Sequence, residues 1–377
     1  MPFCYSPWTN IDIDPTGKIT PCCKFQTQSY SQVFNLQHHS IDEYIASDFL
    51  RTVKQELDNG QWPQGCERCR IEEENSIKSK RQLDQERWPA EYNTYNRNDG
   101  FITASIAFGN TCNLSCITCS SYASSRWHKE YKDIYGIDIP HFKFYRKNFV
   151  KDFIKLAPNL CHVDIPGGEP FLSGVDEQKQ LLQHYVDSGQ AGSITLHYTT
   201  NATIFPDQEW WELWKHFKEI DLQLSLDGIK DRYEYIRYPA DWKTVLSNTH
   251  RYCGQEQQLA NFRISVSHTV SAYNIYYLDE FFEHCEQIGL PKPWLGRVHR
   301  PEHMRPTVWS DSARSAIVDR LSTSKYEDVR TWAQLVANNN DSQHFDTFVE
   351  RTRQHDEYRK LNFATTFPEM AQYLNEQ

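Results

Sequence analysis

The sequence of 377 residues predicts an α/β fold organised around a parallel sheet. Six short segments, at 102–108, 162–166, 193–201, 221–228, 262–270 and 293–300, are rich in Ile, Val, Leu or aromatic residues and bounded by turn residues, the signature of strands. Between them lie helical patterns. Phe149, Phe153 and Leu156 recur at helical spacing, and the same periodicity holds in 176–189, 207–220, from Val245 to Tyr252, and from Leu278 to Ile288. Strands alternating with helices imply βα units, whose chemistry gathers at the C-terminal ends of the strands. Composition agrees: 39% hydrophobic and 14% aromatic residues suffice for a packed core.

Ahead of the first βα strand, alternating apolar residues from Ile11 to Cys23 flank Pro15-Thr16-Gly17 and predict a hairpin, with helices after it. Residues 71–98 are charged and read as a solvated helix and connector. The stretch from His303 to Gln377 reads as helical and polar, without evident chemistry. A net charge of −10 argues against general affinity for nucleic-acid backbone or anionic membrane. No apolar run approaches the ~20 residues that span a bilayer. The first ten residues lack the charged-then-apolar pattern of an export signal, so a cytoplasmic location is expected.

Eleven cysteines in such a chain are expected to be thiols or thiolate ligands. Cys4, Cys22, Cys23, Cys66 and Cys69 form one group; Cys112, Cys116 and Cys119 form another. Cys161, Cys253 and Cys285 stand alone and read as small apolar residues. The second group follows the first βα strand. Three thiolates on so short a loop can wrap one metal cluster and leave one iron open to a ligand. Zinc is the alternative, with His128 spaced to complete a tetrahedron.

That loop, Cys112-Asn-Leu-Ser-Cys116-Ile-Thr-Cys119, resembles the cluster-binding loop of the radical S-adenosylmethionine (SAM) superfamily, with Thr118 where an aromatic residue is usual. Further resemblances follow in order. Gly167-Gly168-Glu169-Pro170 is similar to the segment that receives the SAM amino group. Thr200-Asn201 stands where the family has Thr-Asn-Gly, with Ala202 replacing Gly. Ser225-Leu226-Asp227-Gly228 resembles the segment whose serine contacts the SAM carboxylate or ribose, and Arg237 matches an arginine that neutralises the methionine carboxylate. The resemblance covers about residues 101–300. It implies a partial (β/α)6 TIM-like barrel, a [4Fe–4S] cluster, and reductive cleavage of SAM to a 5′-deoxyadenosyl radical that abstracts hydrogen from substrate.

Cys4, Gly17, Cys22 and the Cys66-Glu-Arg-Cys69 pair form a second pattern, in which the hairpin turn would bring Cys4 and Cys22 together and the later pair would close a four-thiolate site. It resembles the SPASM auxiliary-cluster module. No cysteine lies between Arg70 and Thr111, which fits the shorter twitch form with one auxiliary [4Fe–4S] cluster. This module usually follows the barrel; here it precedes it. Cys23 competes with Cys22, and the Gly17 spacing favours Cys22. A zinc ribbon is the alternative.

The expected organisation is therefore an auxiliary module at 1–85, a barrel at 100–302 and a helical extension at 303–377. The family resemblance implies a peptide or small-molecule substrate and an electron donor such as a reductase, flavodoxin or ferredoxin. The rival readings are a non-catalytic zinc-binding recognition protein and a radical SAM enzyme acting on nucleic acid.

Overall fold

In the computed structural model, which describes residues 2–74, 78–96, 100–140 and 148–374, the predicted hairpin forms. Strands β1 (Asn10–Ile13) and β2 (Lys18–Thr20) pair antiparallel, with Asp12 opposite Thr20. Asp14 Oδ1 accepts from the Thr16 amide (2.8 Å) and hydroxyl (2.7 Å), while Gly17 takes the left-handed φ of +83° that closes the turn. β3 (Phe34–Asn35) adds antiparallel to β2.

All six βα strands predicted from sequence are present: β4 (Thr103–Ile106), β5 (His162–Ile165), β6 (Thr195–Thr200), β7 (Glu219–Ser225), β8 (Phe262–Val270) and β9 (Trp294–Arg297). One helix is shorter than its periodicity. The pattern at 207–220 forms a helix only over Gln208–Trp214, because the chain turns into β7 at Glu219.

The described residues fall into two compact units of a mixed α/β fold. The first comprises 1–111, 140–199 and 206–221; the second comprises 112–139, 200–205 and 222–377. The expected boundaries at 85–100 and 302–303 lie inside the first and second units respectively. Within the first unit the strand order is β3-β2-β1-β4-β5-β6. The N-terminal hairpin thus adds directly to the sheet, with β1 parallel to β4. Asn10 fixes this junction, donating to the Pro21 carbonyl (2.8 Å) and accepting from Thr103 Oγ1 (2.8 Å).

Strand alternation divides the faces of this sheet. Ile11, Ile13, Ala104, Ile106, Val163, Ile165, Leu196 and Tyr198 are buried on one side. Tyr198 stacks with Phe171 and packs on Trp210 and Trp214, so it belongs to the core. The other side carries a polar row in register: Asp12 opposite Ser105, Ser105 opposite Asp164, and Asp164 opposite His197.

In the second unit β8 and β9 run parallel, with Val270 opposite Arg297. β9 ends at Arg297, so His299 lies beyond the strand. The C-terminal stretch forms helices Asp311–Ser322, Glu327–Asn338 and Phe345–Arg359. Tyr273, Trp309, Phe348, Phe363 and Phe367 form an aromatic core beside them. Among the described residues no helix is long and apolar enough to cross a membrane.

Candidate functional site

In the first unit Cys4, Cys22, Cys66 and Cys69 line one cavity together with Lys80 and Arg81. Cys22 follows β2, Cys66 ends the short turn Gln64–Cys66, and Cys69 sits in the first turn of helix Glu67–Glu74. Two contacts bring the hairpin to the later pair. The Gln26 amide donates to the Gly65 carbonyl (2.9 Å), and the Phe25 ring lies against Gly65 so closely that a Cβ there would stand 2.2 Å from it. Cys23 is exposed and outside the cavity lining.

Burial pushes the Cys4, Cys22 and Cys66 thiols upward, so their anionic forms need a cationic centre. Among the described residues no three His, Cys, Asp or Glu side chains converge as they do round a single metal ion. The four cysteines instead frame a space, which fits a cluster. Lys80 and Arg81 come from the stretch that reads as a solvated connector. Helix Lys80–Arg87 instead begins at the fully buried Ser79 cap, and both residues line the cavity while their charged ends pair with Asp84 and Glu73.

The second unit holds Cys112, Cys116 and Cys119 on the loop after β4, with Cys116 buried and the other two half-buried. Asn201 Nδ2 stands 3.9 Å from Cys112 Sγ and donates to Asn113 Oδ1 at 3.0 Å; Asn113 in turn donates to Thr203 Oγ1 at 2.8 Å. Ala202 lies in the left-handed region at φ +59°, the conformation that the glycine of the resembled Thr-Asn-Gly segment takes without strain.

Arg237 Nη1 lies 3.9 Å from Cys116 Sγ, and Nη2 pairs with Asp227 Oδ2 at 2.8 Å. Asp227 also accepts from the Thr269 amide at 2.7 Å, so its carboxylate serves the protein. Arg237 Nε is buried without a hydrogen-bond partner among the described residues and remains able to donate to an anionic ligand. Ser225 is buried at the end of β7. His128 is turned to the Ser121 carbonyl (3.3 Å). His268 packs on the Phe281 ring, and burial lowers its pKa to about 4, leaving a neutral ring whose Nδ1 donates to the Leu226 carbonyl.

Gly167-Gly168-Glu169-Pro170 lies in the first unit. Gly167 (φ +86°) and Gly168 (φ +52°) are both left-handed, and a Cβ on Gly168 would stand 2.4 Å from the Thr111 carbonyl. The Glu169 amide donates to that carbonyl at 2.8 Å, immediately before Cys112 in the chain. Glu169 is fully buried, which excludes a turn carrying a surface carboxylate, and Gln178 Nε2 donates to the Pro170 carbonyl at 2.7 Å.

Sequence reasoning missed the groups that hold the cysteine loop of the second unit. The carbonyls of Leu114, Ser115 and Cys116 accept, in that order, from Ser124 Oγ (2.6 Å), Arg359 Nη2 (2.7 Å) and Trp127 Nε1 (3.1 Å). Only the aromatic and acidic pattern Trp127 to Glu130 close after Cys119 could have signalled this; nothing local marks Arg359.

Residues 4–70 match the SPASM iron–sulfur cluster-binding domain family. No curated protein matches the chain. Solved structures to which the chain is similar include native anSMEcpe with bound AdoMet and Cp18Cys peptide, at 15% identity over 66% of this chain and 64% of that one, TM-score 0.43. SuiB of Streptococcus suis bound to S-adenosylmethionine is 13% identical over 90% and 70%, TM-score 0.35. TYW1 with a lysine-pyruvate adduct is 17% identical over 60% and 74%, TM-score 0.33. The chain spans 64% of the length of the first of these.

Proposed function

We propose that this chain, which carries a SPASM iron–sulfur cluster-binding domain at residues 4–70, is a radical SAM enzyme on a partial (β/α)6 barrel. The observation that carries the proposal is the meeting of three separated segments in the second unit. Asn201 approaches Cys112, Arg237 approaches Cys116, and Asp227 holds Arg237. A surface loop binding zinc would need none of these partners.

Cys112, Cys116 and Cys119 would hold a [4Fe–4S] cluster. Cys4, Cys22, Cys66 and Cys69 would hold the auxiliary one. When bound, the reduced cluster supplies the electron that cleaves SAM to a hydrogen-abstracting radical. The protein's part is placement. Arg237 offers its unpartnered Nε to the carboxylate of SAM, and burial of Cys116 excludes water from that side. Thr200, Asn201 and Ser225, all buried, would supply further polar contacts. The substrate would be a peptide or small molecule. A flavodoxin- or ferredoxin-type protein would deliver the electron.

The test is iron and acid-labile sulfide after anaerobic reconstitution, read with 5′-deoxyadenosine formation. About eight irons per chain are expected. Cys116→Ala should retain about four and form no 5′-deoxyadenosine, whereas Cys66→Ala should still cleave SAM without product. Zinc in place of iron, or unchanged 5′-deoxyadenosine in Cys116→Ala, would overturn the proposal.

A further inference from the structure

We infer that Arg359, at the last turn of helix Phe345–Arg359, is a positioning residue for the Cys112–Cys119 loop, so that the C-terminal extension is part of the catalytic centre. The inference rests on the reading of that loop as the SAM-cluster site. Arg359 Nε donates to Glu130 Oε2 at 2.9 Å, and Nη2 donates to the Ser115 carbonyl at 2.7 Å. The ion-paired side chains are 0% and 5% exposed. The other oxygen of Glu130 accepts from Ser115 Oγ in a short hydrogen bond. One buried pair therefore grips both the backbone and the side chain of the residue before Cys116.

Two amides of this segment are held as well. The Ser115 and Ile117 amides donate to the Tyr238 and Ile236 carbonyls, both at 2.7 Å, which ties the loop to the chain on either side of Arg237. The rings of Trp127 and Tyr238 each lie 4.9 Å from the guanidinium, and Trp127 holds the Cys116 carbonyl. A planar cation with several donors suits this place: it must satisfy a carboxylate and a carbonyl together while lying on aromatic faces. Lysine could answer the carboxylate alone.

That difference supplies the test. Full-length wild type, Arg359→Lys and Arg359→Met are compared by thermal melting, amide hydrogen exchange and iron content. Arg359→Lys should melt near wild type. Yet it should exchange the amides of residues 115–117 about tenfold faster or more, and lose iron from the catalytic loop in preference to the N-terminal site. Arg359→Met should do both and also melt lower. Wild-type exchange at 115–117 in Arg359→Lys would overturn the inference, as would acceleration spread evenly over the whole chain. Exchange is also measured before iron is added, so loop order is read independently of any cluster. If wild type binds no iron through Cys116 but Arg359→Lys still loosens 115–117, the functional reading fails and the positioning role stands.

Discussion

Asp227 and Arg237 form a buried ion pair, 2.8 Å from Oδ2 to Nη2, with the guanidinium 3.9 Å from the sulfur of Cys116. The Asp227 side chain is 0% exposed and that of Arg237 12%. A buried pair adds little over an apolar pair, but breaking one side leaves an uncompensated charge at a cost of about 3–5 kcal/mol. Asp227→Asn keeps the acceptor for the Thr269 amide while removing the charge. It should therefore lower the unfolding free energy in urea by that amount. A loss below about 1 kcal/mol would mean that water or another group already compensates Arg237.

Ala202 sits at φ +59° with its side chain fully buried. An L-residue there carries about 1–2 kcal/mol of strain, whereas glycine adds about 0.5–1 kcal/mol of unfolded-state entropy. The strain is the larger quantity, so Ala202→Gly should leave stability unchanged or raise it by up to about 1 kcal/mol. The Asn201 contact to Cys112 should survive. Thermal melting checks this, and a clear drop in melting temperature would show that the alanine methyl is needed for packing.

Strands β4 to β9 were legible because each is a short apolar run with its own turn residues. β3 was not, since two residues carry no periodicity. The joining of β1 to β4 was hidden for a different reason: parallel pairing across some ninety residues leaves no local mark. The cysteines and glycines of the candidate site could be read because their chemistry fixes residue type and spacing. Lys80, Arg81 and Arg359 could not. Charge at 71–98 suggested solvent and the helical stretch 303–377 showed no chemistry, while tertiary structure sets Lys80 and Arg81 along the cysteine cavity and buries Arg359.

The polar row gives the protein a pH signature. Asp164 lies 3.0 Å from His162, and His197 lies 2.8 Å from Asp221. Burial would raise the Asp164 pKa, but the hydrogen bond and charge of His162, with the charges of His197 and Lys80, bring it down to about 2. Burial would lower His197, yet the bond to Asp221 and the charges of Asp164 and Asp221 raise it. A depressed acid stabilises above its unfolded value and loses this as pH falls. A raised histidine stabilises below its unfolded value and loses this as pH rises. The two contributions therefore overlap between about pH 4 and 6.5. His197→Gln should remove the part of the melting-temperature decline above about pH 6.5 and weaken the acid limb only by the share of the His197 charge, the His162 hydrogen bond and charge remaining. An unchanged alkaline limb would exclude His197 as its source.

Arg81 anchors the start of the chain. Its Nη1 donates to the Phe3 carbonyl at 2.9 Å, one residue before Cys4, and Nε and Nη2 clasp Glu73 at 3.0 and 2.5 Å. The side chain is 12% exposed. Loss of this clasp should free Cys4, which like Cys22 lies outside every regular element but sits one residue from the Phe3 carbonyl that Arg81 holds. Arg81→Ala should thus lower bound iron by about half, to the content of one cluster, while 5′-deoxyadenosine still forms. Arg81→Lys keeps the charge but loses the fork that reaches both Phe3 and Glu73, and should fall between the two. Full iron content in Arg81→Ala would mean that the other three cysteines hold the auxiliary centre without a fixed Cys4.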